Sequence, residues 1–287
     1  MTITIADAIR EGAAIFHDAG LSEARREAGG LLQHVIGRDR TFVLTHPEQQ
    51  LTKGQLQTFQ ELIKRRAAGE PLQYLTAQQP FFGLEFEVAP GVLIPRPETE
   101  LLVELALETI QGTQAPRICD VGTGSGCIAI SLLHERKDAH AVAIDISAAA
   151  IEIAKRNAVR HRVESRLTFV HANCFSSLSP AEFSFDLIVS NPPYLAEDDF
   201  PGLQREVKDH EPREALAGGP DGLDVVRRLL SESDSFLKPG GHLLIEIGFN
   251  QASAVQSLIE ERKWLGKGIK PDLQGIPRVV VLQKRLS

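Results

Sequence analysis

Two short stretches of this 287-residue chain combine residue types that could do chemistry. The first is Asn191-Pro192-Pro193-Tyr194, which follows the apolar run at 185–189. Consecutive prolines fix the backbone and remove two N–H donors. Their carbonyls and the side-chain carbonyl of Asn191 remain as acceptors, and two acceptors can hold a planar –NH2 group by both of its hydrogens. Tyr194 adds a flat face for stacking. An amide or aromatic amino nitrogen is a weak nucleophile, because its lone pair is delocalised. Acceptors on both N–H bonds favour the positive charge that develops as such a nitrogen attacks. They also aim it at an electrophile about 3 Å away. This pattern assigns catalysis to Asn191, Pro192 and Tyr194, and substrate contact to Asn191, Pro192, Pro193 and Tyr194.

The second stretch is Gly122-Thr123-Gly124-Ser125-Gly126, with Asp120 just ahead, an apolar run at 118–121 before it and a helical pattern after it. Glycines let a strand turn sharply into a helix and let a ligand approach the backbone, while the helix N-terminus offers N–H groups. Asp145 closes the next apolar run, about 20 residues on, where a carboxylate can accept both hydroxyls of a ribose. Loop and acid together suit an adenosine, whether part of NAD or of another cofactor, and a purely structural glycine turn also fits. The spacing is Gly-x-Gly-x-Gly, whereas a dinucleotide fingerprint would place its last glycine at Cys127.

The elements that must position these residues can be read from periodicity. Ile5, Ile9, Ala13 and Phe16 recur at helical spacing, as do Ala24, Ala28, Leu31, Leu32 and Val35 behind Ser22, a candidate N-cap. Thr52 is a candidate cap for a third helix, and Gly20, Gly37 and Gly69 mark helix ends. The basic run Lys64-Arg65-Arg66 reads as a solvated helix end. Residues 80–95 change character: Phe82, Leu84, Phe86 and Val88 alternate, and Pro90-Gly91 is a turn signal, so a hairpin is expected. Proline and acids at 96–100 suit the start of a helix. Strands at 118–121, 141–144, 167–170, 185–189, 243–247 and 279–282 then alternate with helices at 127–133, 148–160, 224–236 and 251–262. The reading is an α/β fold with a mostly parallel sheet and helices on both faces. A small helical bundle at 1–79 and a hairpin linker at 80–95 precede the catalytic domain at 96–287.

The first strand and glycine loop resemble the opening motif of Rossmann-like S-adenosylmethionine-dependent methyltransferases, an acid followed by Gly-x-Gly-x-Gly. More specifically, the chain is similar to the HemK/PrmC family, the N5-glutamine methyltransferases of peptide-chain release factors. The matching pieces are GEPLQYLT at 69–76, LIPRPETE at 93–100, DVGTGSG at 120–126, Asp145, SNPPY at 190–194 and EPREAL…GGPDGL at 211–223. They run in family order along most of the chain. The resemblance implies a seven-stranded, mostly parallel sheet and S-adenosylmethionine as cofactor. It implies methyl transfer to the glutamine amide in the Gly-Gly-Gln motif of release factors. Gly122, Thr123, Gly124, Ser125 and Gly126 would then lie under the methionine part of the cofactor, Asp145 on its ribose, and Asn191 beside both cofactor and substrate. Arg96 and Thr99 would touch the methionine moiety or else cap a helix. One position departs from the family: Asn173-Cys174-Phe175 stands where relatives often carry an acid and a bulky residue beside adenine. Asn173 could accept from the adenine amino group, Cys174 offers little stacking area, and Phe175 is the candidate replacement.

Composition narrows the alternatives. The chain carries 31 Lys and Arg against 38 Asp and Glu, a net charge of −7. Residues 1–80 hold nine of each sign, so the whole surplus lies downstream. The same Asn-Pro-Pro-Tyr chemistry also serves amino groups of DNA or rRNA bases and the glutamine of a ribosomal protein. A neutral N-terminal segment and an acidic catalytic part argue against a nucleic-acid strand as substrate. They favour a basic protein partner, steered by charge. Cys119, Cys127 and Cys174 have no metal-ligand spacing and no disulfide framework, which fits a reducing cytoplasm and no metal site. No apolar run is long enough to span a membrane, and the N-terminus lacks the pattern of a signal peptide. A monomer is expected.

Overall fold

A computed structural model describes residues 3–286. They form two units, one containing the residues up to Gln78 together with Gln204–His210, the other Gln79–Leu203 and the chain from Glu211 onward.

The first unit is helical, with α1 (Ile5–Asp18), α2 (Ala24–Ile36), α3 (Arg40–Thr45), α4 (Lys53–Ala67) and α5 (Leu72–Thr76). The apolar stripe of α1 buries Ile5, Ala8, Gly12 and Phe16, at the three- and four-residue spacing of one helix face. Thr52 and Gln55 form a reciprocal capping box at the start of α4. Ser22 caps nothing: α2 begins behind Glu23 with no side-chain cap. Gly20, Gly37 and Gly69 adopt the left-handed φ that ends helices.

The second unit opens with a hairpin, β1 (Gln78–Phe81) and β2 (Leu84–Glu87). Its turn is Phe82-Gly83, both at positive φ, and not Pro90-Gly91. Glu100 holds this turn by accepting the Phe82 N–H at 2.8 Å. Phe81 and Phe86 are buried in the same core as Leu102 and Ile118, so the hairpin is built into the second unit. There follow α6 (Glu100–Thr109), β3 (Arg117–Val121), α7 (Cys127–Glu135), β4 (His140–Asp145), α8 (Ala148–Arg160), β5 (Leu167–His171) and β6 (Phe185–Ser190). After these come α9 (Arg205–His210), α10 (Asp224–Phe236), β7 (Leu237–Glu246), α11 (Ala252–Leu258), β8 (Trp264–Pro271) and β9 (Pro277–Lys284). The sheet order is β5-β4-β3-β6-β7-β9-β8. The five strands from β5 to β7 in that order are parallel, and β9 runs antiparallel to both neighbours.

β3 and β4 are buried on both faces, which is why they read as unbroken apolar runs. One face packs with α6 and α7 around Leu102, Ile128 and Leu187, the other with α10 around Ile188, Leu230 and Phe236. Sequence periodicity missed β8. It is an edge strand, mostly exposed, and Gly266 and Gly268 interrupt its pattern. The helix expected at 251–262 is shorter, ending at Leu258.

α9 belongs to the first unit although its sequence lies between segments of the second. Arg66, 3% exposed, sends Nε to Glu27 at 2.5 Å and Nη2 to Glu206 of α9 at 2.6 Å. The run Lys64-Arg65-Arg66 is therefore not simply a solvated helix end. Its third member is a buried cation held by two carboxylates.

Candidate active site

A cavity of about 550 Å3 opens at the carboxyl ends of β3, β4 and β6. The chain leaves β3 towards β4 on one side of the sheet, while β6 lies on the other, so the cavity sits at the switch point of the topology. Its lining includes Gly122, Thr123, Gly124, Ser125, Asp145, Asn173, Cys174, Asn191, Pro192 and Pro193. Gly126 and Tyr194 stand outside that lining. Gly126 serves packing: at φ +83 it starts α7, and a Cβ there would come 2.8 Å from Ile130 and 3.2 Å from Ala154. Tyr194 packs beside Gly248, and its carbonyl accepts from Gln251 Nε2 at 2.9 Å. Burial pushes the Tyr194 phenol up.

The glycine loop consumes most of its own donors. Gly122 N and Thr123 N both donate to the Ile144 carbonyl, at 2.8 and 3.0 Å, and Gly126 N donates to Thr123 O at 2.8 Å. Gly124 N donates to Asp145 Oδ2 at 2.8 Å. Four of the five N–H groups are thus committed within the protein. A pyrophosphate would meet little of the N–H cradle that dinucleotide binding needs, which weighs against NAD. Beneath the loop, Asp120 is fully buried and accepts from Thr123 Oγ1 at 2.7 Å and Ala129 N at 3.2 Å, both on Oδ2. Its Oδ1 has no partner, and burial pushes the carboxyl up to about 7.

Asp145 reaches the cavity with both oxygens already held: Oδ1 accepts Ser147 N and Oδ2 accepts Gly124 N, each at 2.8 Å. Burial raises its pKa while those two N–H groups pull it down. Each oxygen keeps a lone pair for one hydroxyl of a ribose. Next to it, Ile146 is 56% exposed and lines the cavity, an apolar surface that the sequence did not single out.

The edge at Asn173-Cys174-Phe175 differs from expectation. Arg228 engages Asn173, Nη1 to Oδ1 at 2.5 Å and Nη2 to the carbonyl at 3.0 Å. The Asn173 amide oxygen therefore already has a partner, which competes with the expected adenine contact. Phe175 does not line the cavity. It is buried and stacked on Phe236 at 4.6 Å, so it does not replace a ring beside adenine. Cys174 does line the cavity, at a left-handed φ of 50°.

Near Asn191 two family-like segments far apart in sequence meet, 93–100 and 211–223. Arg96 Nη2 pairs with Glu211 Oε1 at 2.5 Å, and Glu211 Oε2 accepts Ile94 N at 3.3 Å. Gly218 and Gly222 let the following turn press on the Pro-Pro-Tyr backbone. A Cβ at Gly218 would lie 2.7 Å from Pro193 O, and one at Gly222 would lie 2.3 Å from Tyr194 O. Ser190 Oγ donates to Val121 O at 2.7 Å, tying the ends of β6 and β3. Asn191 Nδ2 donates to Thr99 Oγ1 at 3.0 Å. Asn191 and Pro192 both line the cavity, and this bond leaves Asn191 Oδ1 unengaged.

Comparison with known proteins agrees with this geometry. Residues 7–76 match the PrmC N-terminal domain family, and residues 97–205 match the methyltransferase small domain family. The release factor glutamine methyltransferase of Koribacter versatilis (strain Ellin345) is 44% identical over 263 residues, 92% of each chain. That of Bradyrhizobium diazoefficiens is 39% identical over 285 residues, 98% of this chain and 95% of the relative. A solved methyltransferase from Pyrococcus furiosus shares the fold with a TM-score of 0.53 at 20% identity, covering 72% of this chain and 91% of that one.

Proposed function

The chain belongs to the release factor glutamine methyltransferases, and from that premise we propose how its residues bring a glutamine amide to a methyl donor. The enzyme is a protein-glutamine N-methyltransferase that uses S-adenosylmethionine. The cavity residues fit that cofactor. Asp145 offers one free acceptor on each oxygen for a ribose diol. The volume of about 550 Å3 suits a ligand of this size. The loop's shortage of free N–H groups suits a cofactor without phosphates. Gly122, Gly124 and Ser125 would hold the methionine side, Asp145 the ribose, and Ile146 and Cys174 the adenine faces. When bound, S-adenosylmethionine supplies an electrophilic methyl group on a positively charged sulfur.

The chain's own part is to hold the nucleophile. The observation that carries this is the Asn191–Thr99 hydrogen bond, which engages the Asn191 –NH2 and leaves its carbonyl oxygen free, with Pro192 in the same cavity lining. The Asn191 and Pro192 carbonyl oxygens take the two hydrogens of a glutamine side-chain amide and favour charge on its nitrogen as it attacks. The glutamine nitrogen would take up the methyl carbon, the sulfur would leave with the electrons of the broken bond, and the nitrogen would then lose a proton to solvent. No general base is needed before transfer, because the positively charged N-alkylated amide, whose nitrogen still carries both hydrogens, is a strong acid. Tyr194, outside the cavity lining, would flank the incoming side chain.

The substrate is the Gly-Gly-Gln glutamine of a release factor, and the helical unit is its docking domain. A cytoplasmic, monomeric enzyme is the simplest form, since its substrate works on ribosomes there. Among the described residues no helix is long and apolar enough to cross a membrane. The test is to offer labelled S-adenosylmethionine with a release factor, a ribosomal extract or DNA. Label in the release factor is expected; label in DNA or a ribosomal protein, with the release factor unmarked, would overturn the substrate assignment.

A further inference from the structure

We propose that Gln251 is a positioning residue: its side-chain amide clamps the Tyr194 carbonyl and so sets the direction of the Pro192 carbonyl that receives the substrate amide. This rests on the amide-holding role of Asn191 and Pro192. Neither Pro192 nor Pro193 has an N–H, and among the described residues no hydrogen bond reaches either carbonyl. The segment is therefore held only by what lies before and after it. Before it, Ser190 pairs with Ile245 of β7, and its Oγ donates to Val121 O at 2.7 Å. After it, the first carbonyl that is held is that of Tyr194.

Gln251 does the holding. Its Nε2 donates to Tyr194 O at 2.9 Å and to Gly222 O at 3.1 Å, and its Oε1 accepts Gly248 N at 2.9 Å. Each end of the amide is used: two hydrogens meet two backbone carbonyls, and the oxygen meets a backbone N–H. Backbone groups are fixed as donors or acceptors, so only one orientation of the amide satisfies all three. One side chain, 7% exposed, thereby ties together the loops after β6, before α10 and after β7. Gly222 permits the approach, since a Cβ there would lie 2.7 Å from Gln251 Nε2. The loop before α10 also holds the next residue: Leu195 N donates to Leu216 O and Gly218 N to Leu195 O, each at 2.9 Å.

Helix capping does not explain Gln251. It stands at the N-cap of α11, yet its side chain makes no capping bond. Cofactor contact does not explain it either, because Gln251, Gly222 and Gly248 lie outside the cavity lining. The clamp acts on the reacting geometry through the backbone, where a misplacement of about 1 Å can cost about a hundredfold in rate.

Methionine matches glutamine in length and makes none of the three bonds, while an ionised glutamate keeps the acceptor for Gly248 N and loses both donors. With the full-length enzyme and a release factor, Gln251→Met is expected to lower kcat about tenfold to a hundredfold, with the Kd for S-adenosylhomocysteine within about threefold. Gln251→Glu, assayed at about pH 9 to ionise the carboxyl, should be at least as slow, because it sets a negative charge against two carbonyls. One readout needs neither substrate nor variant: in wild type the Gln251 side-chain amide protons should exchange at least about tenfold more slowly than those of the exposed Gln274. A Gln251→Met enzyme with wild-type kcat, a Gln251→Glu enzyme restored to wild-type kcat, equal losses of kcat and cofactor affinity, or an unprotected Gln251 amide would each overturn the proposal. Failure of the underlying reading looks different: the wild type would then methylate no glutamine, whereas a failed clamp leaves the wild type active and Gln251→Met as fast.

Discussion

Asparagine is the smallest change that can be made to Asp145, and the structure makes it a severe one. Both carboxylate oxygens already accept a backbone N–H at 2.8 Å, from Ser147 on one side and Gly124 on the other. Asparagine has a single acceptor oxygen. Whichever way its amide turns, the –NH2 end faces one of the two N–H groups, and that bond is lost. The loss of one such bond is worth about 1–3 kcal/mol. One ribose hydroxyl also loses its charge-assisted acceptor, adding a comparable amount. The expected total of about 2–6 kcal/mol weakens cofactor binding at least about thirtyfold. Alanine should do little more harm, because it leaves both N–H groups to water in an open cavity. The assay is calorimetric titration of S-adenosylhomocysteine into wild type, Asp145→Asn and Asp145→Ala. A Kd for Asp145→Asn within about threefold of wild type, or far tighter than that of Asp145→Ala, would refute the reasoning.

The other buried aspartate should behave in the opposite way. Asp120 takes both bonds on Oδ2, so an asparagine oxygen can replace that atom and the –NH2 can occupy the unpartnered side. Burial raises this carboxyl from 3.8 to about 7, so the folded state binds the extra proton between those values and stability falls as pH rises across that window. Asp120→Asn removes that loss: in urea unfolding it should gain on wild type from about pH 5 to about pH 8, by at most about 3 kcal/mol, and a gap that does not change with pH would contradict this. Arg66→Ala leaves Glu27 and Glu206 without their cation. The cost should be about 2–3 kcal/mol, below that of a fully buried pair because Glu206 is 34% exposed, and proteases should cut residues 204–210 faster. Unchanged stability and cleavage would mean that solvent already screens this pair.

The two chemical motifs were legible because each is local. Gly122 to Gly126 and Asn191 to Tyr194 carry their backbone geometry in their own residue types, and both sit at ends of the expected strands. What joins them was not legible. Thr99 stands just before α6 and Asn191 just after β6, 92 residues apart, and only the fold brings their side chains to 3.0 Å. The packing part of Gly126 was not legible for a related reason: its lack of a Cβ allows the close contact with Ile130 and Ala154. Phe175 was offered as a cover for adenine on sequence neighbourhood alone, but the chain turns at Cys174 and sends the ring into the core against Phe236. Arg66 looked solvated because its partners are 39 and 140 residues away. The sheet itself was legible wherever strands are buried on both faces, and failed at β8, whose exposed edge demands no apolar pattern.

The central claim is that Asn191 and the Pro192 carbonyl present a glutamine amide for methylation. Its most direct test is mass spectrometry of a release factor after incubation with S-adenosylmethionine and either wild-type enzyme or Asn191→Ala. One added methyl group on the side-chain nitrogen of the Gly-Gly-Gln glutamine, present with wild type and absent with Asn191→Ala despite retained cofactor binding, is the expected result. A methyl group on another residue, or the same glutamine modified equally well by Asn191→Ala, would contradict the account.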